Sequence, residues 1–342
     1  MIMNKNERTS YVGFWLRRFI CEHMVTDLNL SRNTQISYRD TFRILLPYIA
    51  EKCSKKIDNL QILDLSSKYI YDFLNSLENV RGCSTSTRNQ RLAAIHKFVK
   101  YVGMNNPELV EWAHSINSIP TKLSSPKLIT YLEKEEMNAL LSAPDKTTKQ
   151  GWRDYVMLTF MYNTGARADE TAHLLIKDLY LATRTTDTSI VTIVGKGNKE
   201  RHCPLWQKTV SALRSLVKGR GSSENVFLNK NGLPITRFGI YEMVTKYAKQ
   251  VSMIPEFHDL LKKRVTPHTI RHTTGTHLLM AGVDIVTIRN WLGHVSVDTT
   301  NIYAEISMEM KEQALKAYQS PIVSDKKHWK YDDNLMTFLE SL

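Results

Sequence analysis

Apolar side chains recur at helical spacing through roughly the first 115 residues, and this pattern determines what that part of the chain can form. Four helices are predicted, at Ser10–Cys21, Ser31–Glu51, Ser66–Leu77 and Ser86–Tyr101. Each begins at a serine, a residue whose side-chain oxygen can cap the first turn of a helix. The sequence therefore predicts a small helical bundle.

The chain divides at residues 117–127, where prolines and serines without apolar periodicity indicate a linker. We expect a helical domain before it, over 1–116, and a second domain after it, over 128–320. Pro321 ends the last long helix. The tail that follows, 321–342, carries apolar residues that fit one face of a short helix.

The second domain mixes helices with a little β-structure. Ile190–Val194 and Glu200–Leu205 are predicted strands, and the glycine-rich segment between them is a turn by composition. Helices are predicted at Glu133–Ala143, Trp152–Asn163, Gln207–Lys218, Thr236–Val251, Pro267–Ala281, Asp284–Leu292 and Val297–Ile306. The predicted fold class is therefore a mainly α N-terminal bundle followed by an α+β domain, mostly helical, with one small antiparallel sheet.

The charge balance indicates a polyanionic partner. The chain carries 46 Lys and Arg against 34 Asp and Glu, a formal net charge of +12, which suits nucleic acid or an anionic membrane surface. No run approaches the roughly 20 apolar residues of a membrane span, and the N-terminus lacks the apolar region of an export signal. The four cysteines are far apart and lack zinc-ligand spacing, which favours reduced thiols in a cytosol.

Basic residues of the first domain cluster on two predicted helices. They are Arg32, Arg39 and Arg43 on the second helix, and Arg88, Arg91, Lys97 and Lys100 on the fourth. Two solvated helix faces would explain this pattern. Contacts to DNA would explain it too, because Arg, Lys, Asn and Gln beside hydroxyl groups suit phosphates and base edges. The residues alone leave both interpretations open.

Two features of the second domain place a cation next to a glycine. Arg167 follows Thr164 and Gly165 at the end of an apolar helix, which a glycine C-cap with a surface arginine also explains. The turn at 195–199 carries Lys196 and Lys199. Its spacing excludes a nucleotide-binding P-loop, and it presents either solvated lysines or an ammonium able to reach a phosphate.

A third feature is a helix start rich in cationic groups. Thr266 is a natural N-cap, and Pro267 is a natural first helical residue. His268 and Arg271 are three residues apart and share one helix face. Because a helix N-terminus favours anions, this segment predicts a phosphate site.

His294 and Tyr303 complete the set. Each alone is typical of a structural histidine or a core aromatic residue. With the other features, however, they give a ring of cationic groups with one obvious nucleophile, the Tyr303 hydroxyl, for a phosphodiester. Arginine forks can stabilise the developing phosphorane charge, and a lysine can protonate the leaving oxygen. No carboxylate cluster or Cys/His set is present for a metal.

The order of these residues resembles the tyrosine recombinase (integrase) family. The family signature is Arg, Lys, His-x-x-Arg, His or Trp, and Tyr, and it falls here on Arg167, Lys196, His268, Arg271, His294 and Tyr303. The first domain is similar to the family's core-site DNA-binding domain, with matching runs around Asn33 and Asn89. The departures, at Ala166, Asp169 and Gly275, remove no catalytic group.

The resemblance implies a C-shaped clamp on duplex DNA in which Tyr303 forms a 3′-phosphotyrosine. Arg167, Arg271 and His294 would stabilise the transition state, His268 would assist, and Lys196 would protonate the leaving oxygen. Glu170 would have a supporting role, and neither a metal nor ATP would be required. The expected DNA contacts are Arg32, Asn33, Thr34, Arg39, Arg43, Arg88, Gln90, Arg91, Lys97, Lys199 and Arg201.

The resemblance also implies a homo-tetramer on paired core sites, with no membrane partner, at the nucleoid in a bacterial cytosol. The first helix begins near Ser10, so we expect a simple recombinase without an arm-binding domain. The tail favours an integrase or transposase of a mobile element over Xer-like resolution of replicon dimers, and it is expected to dock on its own domain or on a neighbouring protomer. A type IB topoisomerase and a DNA-binding protein that does not cut remain as alternatives.

Overall fold

The computed structural model describes residues 9–123, 130–184, 187–195 and 197–293, in two units, Met1–Lys127 and Leu128–Leu342. Each unit has its own hydrophobic core. The first is helical in its described residues, and the second adds a small antiparallel sheet. The predicted fold class of each unit is therefore confirmed. Among the described helices, none combines the length and apolar character that a bilayer-spanning segment needs.

The described part of the first unit is built from five α-helices. They are α1 (Val12–Arg18), α2 (Arg32–Lys52), α3 (Ser67–Asn79), α4 (Thr85–Asn105) and α5 (Val110–Asn117). Helix α1 continues as a π-helix over Phe19–Asp27, and 3-10 turns occur at Ile57–Asn59, Ile62–Asp64 and Pro107–Leu109. Buried aromatic side chains join the helices: the rings of Phe42 and Phe98 lie 5.0 Å apart, edge to face.

Serine caps explain where most of these helices begin. The hydroxyls of Ser31 and Ser66 cap α2 and α3 as predicted, each accepting the backbone N–H three residues further on. Ser84 caps α4 in the same way, so the start predicted at Ser86 is wrong by two residues. Helix α1 has no side-chain cap, and the predicted role of Ser10 is also wrong. Helix α5 was not predicted, and it extends into the first residue of the predicted linker.

The second unit combines its small sheet with seven described α-helices. They are α6 (Lys134–Ser142), α7 (Lys149–Thr164), α8 (Ala168–His173), α9 (Gln207–Val217), α10 (Arg237–Val251), α11 (Pro267–Met280) and α12 (Ile285–Leu292), with 3-10 segments at Ile176–Asp178 and Pro255–Lys262. The strands are β1 (Leu179–Tyr180), β2 (Ile190–Val194) and β3 (Glu200–Pro204), in the order β1–β2–β3 and antiparallel throughout. Strand β1 and helix α8 were not predicted, because each is too short to show a period. The predicted helix Val297–Ile306 and the tail at 321–342 lie outside the described residues.

Three helices of the second unit meet at the C-terminal end of α7. Gly165 ends α7 with a left-handed φ of +61°, and a Cβ at this position would overlap the side chain of Leu292 in α12. The Thr274 hydroxyl of α11 donates to the carbonyl of Tyr162 in α7, at 2.8 Å. This junction fixes the backbone immediately before Arg167, and only glycine fits both its space and its conformation.

Candidate active site

Arg167 stands at the start of α8, with its guanidinium directed by a carboxylate one turn further on. Its Nη1 donates to Oε1 of Glu170 at 2.6 Å, and its backbone N–H donates to Oε2 at 2.9 Å. The Arg167 side chain keeps 33% of its surface exposed, whereas that of Glu170 keeps 6%. Arg167 is therefore anchored on one side and open to a ligand on the other.

Glu170 binds a second arginine. Nη2 of Arg201, in β3, donates to Oε2 of Glu170 at 2.6 Å. Burial alone would raise the pKa of Glu170, but the hydrogen bond and charge of Arg201, together with the contacts of Arg167, lower this pKa to about 2. Glu170 is thus an anion at every physiological pH, and it holds two cations beside each other.

Arg271 is buried and ties two chain segments together. Its Nη1 donates to the carbonyl of Gly165 at 2.7 Å, and its Nη2 donates to the carbonyl of Leu292 at 2.6 Å. Thr266 caps the start of the same helix as predicted, and it forms a capping box with Thr269. Arg271 therefore lies between the residues that precede Arg167 and the end of α12.

His268 is exposed on the first turn of α11 and belongs to the same electrostatic group. Partial desolvation and the positive charges of Arg271 and Arg167 lower its pKa, whereas Glu170 opposes the shift. The lowered pKa favours the neutral imidazole, which can donate a hydrogen bond. Arg167, at the start of α8, is thus close enough to His268 and Arg271, both on α11, for their charges to influence one another.

A cleft of about 840 Å³ opens beside this group. Its lining includes Arg167, Gly195, Lys199, Arg201, Arg289 and Gly293. The several positive side chains in this wall make it suited to an anionic ligand. Within the described ranges, no cluster of His, Cys, Asp and Glu side chains is arranged to hold a metal ion.

Lys196, His294 and Tyr303 lie outside the described residues. Two of their chain neighbours are described: Gly195, before Lys196, and Gly293, before His294, both line the cleft. The roles of these three residues therefore stay predictions.

Apart from Arg88, the expected DNA contacts of the first unit fall into two groups. Exposed members are Arg32, Asn33, Arg39, Arg43, Gln90 and Lys97, whereas Thr34 and Arg91 are partly buried. Nε2 of Gln90 donates to Oγ of Ser37 at 3.1 Å, which joins α4 to α2. The two basic helices are therefore neighbours, and their exposed members stay candidates for DNA contact.

Two expected contacts, Arg88 and Arg201, are buried and have internal partners. Arg88 is 1% exposed, and its Nη1 donates to the carbonyl of Pro120 at 2.9 Å. The neighbouring Asn89 donates to the carbonyl of Lys122 at 2.7 Å. Arg201 is 9% exposed and bound to Glu170. The charge pattern showed that these arginines are cations, but it could not show that both have internal partners.

Arg88→Ala is expected to lower stability and not DNA affinity. The change removes a buried donor and leaves the Pro120 carbonyl unpaired, which should reduce the free energy of unfolding by about 1–3 kcal/mol. Urea unfolding measures this, and the exposed Arg43→Ala serves as the control with little effect on stability. Unchanged stability with weakened DNA binding would contradict the structural role.

Comparisons with known proteins show the family to which this chain belongs. A model of the phage integrase family matches residues 130–310, more than half of the chain. The chain belongs to the phage integrase family of tyrosine recombinases. Tyrosine recombinases cleave and rejoin DNA through a tyrosine-linked intermediate, and this protein is accordingly a site-specific DNA recombinase.

Individual relatives of this tyrosine recombinase cover almost all of its length. The Sinorhizobium fredii protein y4rC, which is named as an integrase/recombinase, is 37% identical over 96% of this chain and 97% of its own. The tyrosine recombinase XerC of Herpetosiphon aurantiacus is 30% identical over 91% and 96%. A crystal structure of the XerH site-specific recombinase bound to difH substrate shares the fold, with a TM-score of 0.63, 21% identity, and coverage of 85% and 81%.

Proposed function

We propose that the Tyr303 hydroxyl attacks a scissile DNA phosphate to give a 3′-phosphotyrosine. The bond from phosphorus to the 5′ oxygen breaks as the bond to the phenolic oxygen forms, and the leaving oxygen takes a proton. The observation that supports this most directly is that Arg167, Arg271 and Glu170 lie close enough to His268 to act on its charge, beside a cationic cleft that Arg167 lines.

Arg167 is the residue best placed to bind the reacting phosphate. Charge builds up on the phosphorane oxygens in the transition state, and fixed donors stabilise it without reorganising. Arg167 is held by Glu170 and still partly exposed, so its fork can meet two oxygens. In this proposal Arg271 and His294 assist it, His268 donates a hydrogen bond, and Lys196 protonates the 5′ oxygen. Rejoining needs no nucleotide cofactor, because the tyrosyl ester retains the energy of the phosphodiester.

A nicked suicide duplex tests this chemistry. Cleavage near the nick lets a short fragment diffuse away, so the covalent adduct accumulates and can be seen on a denaturing gel. To identify the target sites, the protein is incubated with fragments of its own genomic neighbourhood. The DNA that becomes attached to Tyr303 is then sequenced. Absence of any adduct on such DNA would reject the proposal in favour of a protein that binds DNA without cutting it.

The exposed basic residues on α2 and α4 are proposed to contact DNA phosphates. Such binding weakens as salt is added, because it releases counterions from the DNA. In a plot of the logarithm of the binding constant against the logarithm of the salt concentration, each phosphate contact contributes about −0.9 to the slope. Arg43→Ala is therefore expected to weaken binding and to reduce the slope by about 1. Titrations at several salt concentrations measure both. Lys55→Ala is the matched control, since Lys55 is paired with Asp64 at 2.8 Å; an unchanged slope in Arg43→Ala would place the contacts elsewhere.

We propose that the recombinase acts as a homo-tetramer on paired core sites, in a bacterial cytosol, for integration, excision or transposition of a mobile element. One of the two relatives above has an integrase name and the other has an Xer name, so Xer-like resolution is the second candidate. A plasmid that carries two of the sites identified by sequencing distinguishes the two activities. Recombinant products support recombination, whereas relaxed plasmids without recombinants indicate a type IB topoisomerase. Sites that lie at the ends of a mobile element favour the first role over resolution.

A further inference from the structure

Arg201 is an internal arginine on a strand that otherwise alternates regularly. Glu200, His202 and Pro204 face solvent, whereas Arg201 and Cys203 face the interior of the unit. Burying a guanidinium is unfavourable unless a partner compensates for the lost water. The partner here is Glu170, at 2.6 Å, and Arg201 is separated from it by 31 positions in the chain.

The surroundings of Arg201 reach three parts of the site. Glu170, which it binds, also binds Arg167. A Cβ placed on Gly293 would stand 3.1 Å from Cδ and 3.2 Å from Nη1 of Arg201, so the Arg201 side chain lies directly against this glycine. A Cβ on Gly195 would stand 3.6 Å from the same Nη1. One side chain thus binds the carboxylate that supports Arg167 and lies beside the glycines that precede Lys196 and His294.

We propose that Arg201 is a positioning residue for DNA cleavage, which fixes Arg167 through Glu170 and packs against the backbone that leads into Lys196 and His294. This inference rests on the roles proposed above for those residues. Arg201 itself need not touch DNA, because its buried side chain is engaged inside the protein.

The hydrogen-bond pattern explains why losing Arg201 would disturb Arg167. Oε1 of Glu170 accepts from the Arg167 side chain, and Oε2 accepts from Arg201 and from the Arg167 backbone. Without Arg201, Oε2 loses its side-chain donor, and the carboxylate can rotate or take a proton. The contact with Arg201 is also the strongest influence that keeps Glu170 ionised against its burial. Either change would move the guanidinium that binds the phosphate.

Arg201→Met is the first test, with single-turnover cleavage of the suicide duplex as the readout. Small misplacement of a positioned group can reduce a rate about 10²-fold, and we expect a loss of this size with duplex affinity changed less than about threefold. Arg201→Lys keeps the charge without the fork and should recover part of the rate. Equal losses of affinity and cleavage would overturn the proposal and indicate that Arg201 contacts DNA directly.

Arg220→Met is the control for the general loss of a partly buried arginine that binds backbone carbonyls. Arg220 donates to the carbonyls of Val226 and Asn225 and pairs with Glu224, and it does not line the cleft. It should lower the melting temperature and leave the cleavage rate of the folded protein near wild type. Cleavage by Arg201→Met at the rate of Arg220→Met would overturn the proposal.

A double-mutant cycle tests whether Arg201 acts through Glu170. If Arg201 acts through Glu170, then Arg201→Met combined with Glu170→Gln should cleave about as slowly as the slower single variant. Independent, multiplicative losses would overturn the proposal. Tyr303→Phe distinguishes the two levels of inference: an adduct that persists in it rejects the proposed function, whereas its loss together with full activity of Arg201→Met rejects only the role of Arg201.

Discussion

Tyr303→Phe is expected to eliminate the covalent protein–DNA adduct, with a loss of at least about 10³-fold and no change in duplex affinity. The substitution removes the nucleophilic oxygen and keeps the ring, so binding should survive while chemistry stops. The measurement is adduct formation on the nicked duplex, with binding followed by gel shift on the same DNA. Recombination between two sites should disappear together with the adduct.

Other tyrosines of the second unit provide the controls. The hydroxyl of Tyr162 is hydrogen-bonded to Nδ1 of His277 at 2.7 Å, and that of buried Tyr247 donates to Asp154 at 2.9 Å. Burial raises the pKa of both hydroxyls, which makes them harder to deprotonate. Tyr241 is exposed on α10, and Tyr241→Phe should form the adduct at the wild-type rate. An adduct that survives in Tyr303→Phe would assign the nucleophile to another residue.

Arg167→Ala is expected to reduce the rate of cleavage by about 10²–10³-fold, since removing one preorganised donor to a developing oxyanion has an effect of this size. Duplex affinity should change little, because one phosphate contact among many is lost. Single-turnover cleavage at saturating protein measures the chemical step without the contribution of binding. Arg167→Lys should remain well below wild type, as a lysine offers a point charge and no fork.

Arg271 makes a useful contrast with Arg167. Its buried guanidinium holds the carbonyls of Gly165 and Leu292, so Arg271→Ala should lower stability as well as cleavage. Arg167 is one-third exposed and should affect cleavage alone. If Arg167→Ala cleaves at the wild-type rate while Arg271→Ala does not, the phosphate is bound without the first arginine of the signature.

Local sequence signals predicted most of the helices, because caps and apolar periods lie within a few residues of each other. Ser31 and Ser66 mark helix starts that the structure confirms, and β2 has the predicted bounds. The signature order likewise identified Arg167, His268 and Arg271 before their proximity was visible. Very short elements such as β1 were not predicted, because two residues are too few to show a periodic pattern.

Contacts between distant residues were beyond the reach of such signals. Arg88 and Arg201 looked like surface cations, but each has an internal partner about thirty positions away. A weak signal existed for Arg201: it occupies an inward position of an alternating strand, in phase with Cys203. That phase predicts burial, and a buried arginine requires an anion such as Glu170.

The attachment of residues 120–122 to α4 has a practical consequence for building hybrids. Arg88 and Asn89 form hydrogen bonds with this stretch, and they lie at the same end of α4 as Gln90 and Arg91. A hybrid that joins the target preference of one recombinase to the cutting half of another should therefore switch parents after Leu123. A crossover at Asn117 would take Arg88 and Asn89 from one parent and residues 120–122, to which they bind, from the other.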